Sequence, residues 1–289
     1  KLRLVSEVIE EWLTVQRQWL ALYPIFASPD INKQLPAEGK RFANVNKTWR
    51  LIMAQVNNNP LVLSFADSVS LLDKLQECNR HLDEVQKRLS DYLDKKRSSF
   101  ARFYFLSDEE LLQILSQTRD PTAVQTHLKK CFENMDRLEF AEGNEITAML
   151  SSKKERVPFT AAVSTKDKNV EHWLGEVEQE MKRTMTGELR KAAVDYATKS
   201  RQEWVLQWAG QCVLTGSQMH WTHEVEQAIR EKGNQGVKDY YEFSRKQLLD
   251  MVGLVRGHLT SVQTVTMGAL IVLDVHARDV VERLVDDQV

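Results

Sequence analysis

Glycine and proline are scarce in this 289-residue chain, at 11 and 6 residues. That scarcity excludes collagen-like and low-complexity architectures and predicts long helices with short breaks. Cysteine is nearly as rare. Cys78, Cys131 and Cys212 are far apart with no C-x-x-C spacing, which suits inert thiols in a reducing compartment. No apolar run reaches membrane-spanning length, Ala269–Leu273 being the nearest approach. Nor does one sign of charge prevail. Lys and Arg total 39 against 41 Asp and Glu, so the net charge of −2 argues against a globally basic nucleic-acid binder. A phosphate loop of the form G-x-x-x-x-G-K-[ST] is missing, since Gly39–Lys40 has the wrong surroundings. A G-x-S-x-G elbow is missing too, and Gly216–Ser217 reads as a helix start. The residues therefore offer neither a nucleotide site nor a nucleophile. No signal-peptide pattern stands at Lys1, and the chain opens inside a helical pattern, so a piece of a longer polypeptide is expected.

What is present is helical periodicity. Val5, Val8, Trp12, Val15, Trp19 and Tyr23 share one face up to an expected stop at Pro24. The link PIFASPDINKQLP holds three of the six prolines and cannot be one continuous helix. From Ala37 a second face runs through Phe42, Val45, Trp49, Ile52 and Val56, ending at Asn57–Pro60. A third helix is expected from Asp67 or Ser68 to about Arg97, with Leu72, Leu75, Cys78, Leu82, Val85, Leu89 and Tyr92 as a heptad-like seam. At ~1.5 Å per residue it is a rod roughly 40 Å long. Only about three heptads are present, which favours an antiparallel bundle over a free two-chain coiled coil.

The stretch from Ser98 to Phe140 is the best specified. It opens with Phe100, Phe103, Tyr104 and Phe105, four aromatics in six residues. Ser107 and Glu110 have capping-box spacing, and Leu106 and Leu111 stand where a hydrophobic staple fixes the entry angle. Asp120 before Pro121 repeats the start signal. An aromatic strap feeding two short helices around a turn at Thr118–Asp120 is expected. Beyond it, Ile146–Leu150 and Val157–Val163 flank the polar SSKKER and read as a β-hairpin, with Pro158 confining the second arm to an edge.

Helical pattern returns at Val170. Val170, Trp173, Val177, Met181, Met185, Leu189 and Tyr196 line a long helix expected to run on to Trp204 and Trp208, weakened at Gly175 and Gly187 by ~1 kcal/mol each. An apolar turn at Cys212–Leu214, a helix from about Ser217 to Lys232, a GNQG loop and a helix carrying Val237, Tyr241, Leu248, Val252 and Val255 follow. The last helix starts near Thr260 and presents Val262, Val265, Ala269, Val272, His276, Val280 and Leu284. No fixed-period repeat is visible. The fold class is mainly all-α, an elongated multi-helix bundle or arch with a small β-hairpin insertion. Its expected divisions are 1–140, 141–169 and 170–289.

Chemistry is sparse. His220 and His223 in HWTHE fall three apart on a helix, without a third ligand or an H-E-x-x-H pattern, and read as a surface or half-buried pair. Asp274 and Arg278 in LDVHARD have the i,i+4 spacing of a helix ion pair; with His276 and Asp279 they form a solvated face or a docking face. The seven Trp residues read as core, with Trp221 a candidate rim residue. An elongated helical mechanical or scaffold element is as far as these residues lead.

A family resemblance goes further. The run RFYFLSDEELL followed by DPTAVQTHLKKCF resembles the signature of the dynein heavy-chain linker. The likeness extends upstream through Trp19–Leu20, Tyr23–Phe26, Asp30–Ile31 and Gln34–Glu38. Downstream it takes in Glu171–Leu174, Val177–Glu178 and Asp274–Asp279. Ala101 departs from the pattern, where Pro is usual. The wording of SPDINKQLPAE and DPTAVQTHLKKCF is closer to axonemal than to cytoplasmic members.

The resemblance implies a lever between the tail and the first AAA+ module, one that bends and straightens across the AAA+ ring during the ATP cycle. ATP and Mg would then belong to the ring, with no cofactor, metal or catalytic residue here. The implied partners are the ring of the same heavy chain and, indirectly, microtubules and the intermediate and light chains, with no nucleic acid and no membrane. The implied location is the ciliary or flagellar axoneme, or the cytoplasm. Phe103, Tyr104, Phe105, Ser107, Glu110, Asp120 and Pro121 would hold one rigid half together, and Asp274, His276, Arg278 and Asp279 would lie near the ring. A hinge is expected between the Ser98–Phe140 unit and the helix beginning near Val170. The alternative is a passive spectrin-like scaffold.

Overall fold

The computed structural model describes residues 1–116 and 120–287. Among them are eleven α-helices and one three-stranded antiparallel sheet, so the fold is mainly all-α. The chain forms two compact units. The first is Lys1–Glu133 with Thr165–Gly175, and the second is Asn134–Ser164 with Glu176–Val289.

In the first unit, α1 (Leu2–Phe26), α2 (Pro29–Gln34), α3 (Pro36–Asn58), α4 (Val62–Phe65) and α5 (Val69–Ser99) follow one another closely. Pro24 does not stop α1. It sits in the last turn, where its missing N–H forfeits a single bond, and the Ala27 N–H still closes on the Tyr23 carbonyl at 3.0 Å. Pro29 and Pro36 each begin a helix, the position at which a missing N–H costs nothing. The three-proline link is thus broken helix and not loop.

The expected faces of α1, α3 and α5 are the ones that meet. Val8 and Val15 of α1, Phe42, Val45 and Trp49 of α3, and Leu75, Leu82 and Val85 of α5 are all buried. Phe26 stacks on Phe42 with ring centroids 5.2 Å apart, and Trp12 tilts against Trp49 at 4.9 Å. The α5 seam is therefore consumed inside this chain. Leu93, not Tyr92, takes its last buried position. Tyr92 stays half-buried and its hydroxyl donates to Gln34. The unit continues with a 3-10 turn over Ala101–Phe105, α6 (Asp108–Leu115), a second 3-10 turn over Pro121–Val124 and α7 (Gln125–Cys131). Of the turn expected at Thr118–Asp120, only Asp120 lies within the described residues.

The second unit opens with a sheet in the order β1 (Arg137–Phe140), β2 (Glu145–Leu150), β3 (Arg156–Ser164). The expected hairpin is β2–β3, and Pro158 does lie on an outer strand. Strand β1 was not expected; it pairs Arg137 with Leu150 and Leu138 with Met149. Its four residues are too few to show alternation. The β2–β3 register shifts between Ile146 and Ala148, which leaves the middle of β3 off the ladder. Its N–H groups turn instead to the helix α8 (Val170–Asp195): Thr160 donates to Thr184 Oγ1 at 3.0 Å and Ala161 to Glu180 Oε1 at 2.8 Å.

Helix α8 passes unbroken through Gly175 and Gly187 but does not run on to Trp204 and Trp208. A separate α9 (Arg201–Gln207) starts at a capping box of Ser200 and Glu203. Cys212–Leu214 and Gly216–Ser217, read as a turn and a helix start, lie inside α10 (Gly210–Val255). That helix is broken at Gly233, whose φ of 54° and ψ of −139° suit glycine alone, so GNQG does reverse the chain. The reversal brings Gly236 against Ala228, where an added Cβ would stand 2.2 Å from the carbonyl oxygen. The last helix, α11 (Ser261–Asp286), begins at a Thr260–Gln263 capping box. Its buried residues are Met267, Leu270 and Val281, while Val265 and Val272 are exposed. The helix is apolar on most sides, so its periodicity did not single out one face.

Gly236→Ala is expected to destabilise the chain by more than about 1 kcal/mol, because the clash is with backbone. Gly268→Ala, in the middle of α11 with nothing within 4 Å, should instead add about 0.5–1 kcal/mol. Urea unfolding of the two variants checks the opposite signs.

Candidate functional site

The signature stretch is built around Phe100 and Phe103, both buried, whose rings meet edge to face at 5.0 Å. A 3-10 turn has three residues per turn, so positions three apart share a face. The same geometry turns Tyr104 and Phe105 outward, at 63% and 67% exposed. This corrects the expectation that all three aromatics lock the unit together. Of the three only Phe103 is buried, and Phe100 is its ring partner. Arg102 lies over the Phe132 ring at 4.6 Å and donates to the Cys131 carbonyl at 3.0 Å, tying the turn to the end of α7. Arg97 donates to the Leu106 carbonyl at 3.2 Å and to Asp108 at 2.6 Å.

The capping box forms as spaced. The Glu110 N–H donates to Ser107 Oγ at 3.3 Å and the Ser107 N–H to Glu110 Oε2 at 3.1 Å. Leu106 and Leu111 are both buried, as a staple requires. Hydrogen bonds from Lys130 first, then from the Ser107 backbone, hold the Glu110 carboxyl below the usual range. Asp120 Oδ1 accepts from the Thr122 N–H at 2.9 Å, and Pro121 opens the 3-10 turn. Lys96 and Glu171, both largely buried, form an ion pair that joins α5 to the start of α8. Nothing in the spacing of these two residues, 75 apart, announced it.

The LDVHARD residues divide. Asp274 does not pair with Arg278. Instead Arg201 donates through one nitrogen to both Asp274 oxygens, at 2.7 and 2.9 Å, and through the other to Gln247 at 2.9 Å. Burial pushes the Asp274 carboxyl up, against the pull of Arg201. Arg201 thus fastens α9 to α10 and α11, and Asp274 is taken up internally. Arg278 pairs with its neighbour Asp279, and His276 is exposed.

His220 and His223 also part company. His220 stacks on Tyr196 with centroids 3.9 Å apart and its Nε2 lies 3.2 Å from the Ala193 carbonyl, whereas His223 is exposed. Among the described residues no group of three His, Cys, Asp or Glu side chains is set to hold a metal ion. Gly39–Lys40 lies inside α3 with Asn32 pressed against the glycine, so the pair does not fit a phosphate. Trp221 packs with Val225, Val237 and Val281. All three cysteines are buried, and desolvation pushes each thiol up to about 11.

Two outcomes check this description. Phe103→Ala should destabilise the chain by ~3–5 kcal/mol and Phe105→Ala by less than ~1 kcal/mol, measured by denaturant unfolding. At pH 8 the native thiols should react with a disulfide reagent at least ~100-fold more slowly than free cysteine, and should approach it only above pH 11 or on unfolding.

Comparison with known proteins follows the same lines. The family model described as dynein heavy chain, N-terminal region 2, matches residues 1–192. Dynein axonemal heavy chain 1 of Mus musculus is 50% identical over 289 residues, which is 100% of this chain and 7% of that protein. Dynein axonemal heavy chain 12 of Rattus norvegicus is 47% identical over 284 residues, 98% of this chain and 9% of the relative. Dynein axonemal heavy chain 3 of Mus musculus is 46% identical over 291 residues, covering 100% and 7%. The chain spans less than a tenth of the length of each of these relatives.

Proposed function

The chain belongs to the dynein heavy-chain family, and from that premise we propose that it is the mechanical linker of an axonemal dynein. In this reading it bends and straightens across the AAA+ ring of the same heavy chain, and the stroke reaches the microtubule through the rest of the motor. ATP and Mg²⁺ act in the ring, and this stretch supplies stiffness and a bending point with no catalytic group of its own. Intermediate and light chains are partners of the whole assembly. Its place of work is the ciliary or flagellar axoneme, in keeping with the relatives' names.

One observation carries the reading: the chain folds as two compact units and passes between them three times, after Glu133, Ser164 and Gly175. A lever needs two stiff bodies and few strands between them. On this reading the bending points are those three passages, one within each of the divisions 1–140, 141–169 and 170–289 expected from the sequence. Phe103, Ser107, Glu110, Asp120 and Pro121 act structurally in the first half. His276, Arg278 and Asp279 are the side chains proposed to face the ring, and Asp274 holds their helix in place.

Cross-linking the two units across the passages in a complete heavy chain is expected to stop microtubule gliding while ATP hydrolysis continues, with reversal on cleaving the cross-link. Unimpaired gliding with the cross-link intact overturns the reading.

A further inference from the structure

Helix α1 carries two apolar faces, and the first unit uses only one. Val5, Val8, Val15, Leu22 and Phe26 are buried. Leu2, Ile9, Leu13 and Leu20 are 80%, 39%, 52% and 58% exposed. At about 100° per residue these four fall within roughly 40° of arc. Their steps of 7, 4 and 7 follow the 3-4 spacing of a coiled-coil seam, with the exposed polar residues Ser6 and Gln16 at the two skipped positions. One border of the seam is a row of exposed charges in steps of seven, Arg3, Glu10 and Arg17. Among the described residues none of the three makes an ion pair. The other border is Val5, Trp12 and Trp19, which face the unit's own core or its edge.

The charge row decides against a second copy of this helix. Antiparallel self-pairing sets Arg3 against Arg17 and Glu10 against Glu10, like charges throughout. Parallel self-pairing sets the row against Val5, Trp12 and Trp19, which offer no counter-charge. We propose that this seam is covered by an amphipathic helix of the same heavy chain, outside these 289 residues, whose bordering row reads acid–base–acid. These residues amount to 7% of a relative such as axonemal heavy chain 1, so the remainder of such a chain holds ample candidates. A tethered helix also competes at a far higher effective concentration than a separate protein. The contact is required whether or not the linker bends, so its failure leaves the lever reading standing.

The test is thiol labelling in the full-length heavy chain, read by peptide mass mapping. Leu13→Cys and Leu20→Cys sit on the seam, and Glu7→Cys, exposed on another side of α1, reports free solvent. Both seam thiols are expected to react with a maleimide at least about tenfold more slowly than the control, at every protein concentration. Adding Arg17→Glu should speed their labelling several-fold. Seam rates equal to the control overturn the proposal. So does protection that disappears on dilution, which would mark a second copy, or on stripping the accompanying chains, which would mark a partner in trans.

Discussion

Every helix in this chain has to be stopped, and stopping a helix leaves backbone donors and acceptors that water or a side chain must satisfy. With eleven helices among the described residues and so few glycines, that constraint falls on a small set of oxygens. Ser68, Ser107, Asp120, Ser200 and Thr260 each accept a backbone N–H at the start of a helix or 3-10 turn. Pro29 and Pro36 solve the same problem by having no N–H to satisfy. Each such cap is worth about 1 kcal/mol. Its larger effect is to fix where one rod ends and the next begins, and hence which apolar stripes come to face one another.

The two units meet that constraint differently. In the first, α1, α3 and α5 turn single apolar faces toward a common core, and the aromatic pair Phe100–Phe103 closes the end of α5. In the second, polar clasps join elements far apart in sequence. Arg201 joins three helices through Asp274 and Gln247, and Glu180 with Thr184 satisfies a strand that has slipped off its ladder. Such buried polar contacts add little net stability but penalise alternatives, since breaking one strands a desolvated charge or donor.

This difference explains what could be read from the sequence. Helices α1, α3 and α5 were legible because each has an amphipathic pattern, whereas the short α2 and α4 have too few residues to show one. Ser107–Glu110 was legible because the spacing of a capping box is itself its mechanism. Ser200–Glu203 has the same spacing, but Trp204 and Trp208 continue the apolar period of α8 across the break and mask it. The inner face of α11 was hidden by its own hydrophobicity. Tyr104 and Phe105 looked like core because aromatics usually are, and only the three-residue repeat of the 3-10 turn separates them from Phe103. The Arg201–Asp274 pair joins residues 73 apart, which no local spacing predicts, whereas the i,i+4 spacing of Asp274 and Arg278 predicts a pair that does not form.

If the proposed lever reading holds, the relevant question is where strain would collect. Helix α8 enters the first unit with Val170, Trp173 and Leu174 buried, then continues without a break through Gly175 into the second. A helix bends gently over its length and kinks sharply only where a hydrogen bond is missing. Gly175 keeps its place in the helix, and a Cβ there would meet nothing within 4 Å, so that point is neither locked by packing nor already broken. The Lys96–Glu171 pair holds the segment just before it, and the Glu180–Thr184 clasp on β3 holds the segment just after. Deformation applied to such an element is confined between its two anchors. On the proposed reading, a compliant turn bounded by fixed ones would serve as the bending point without a loop, and so without a break in the helical pattern of the sequence.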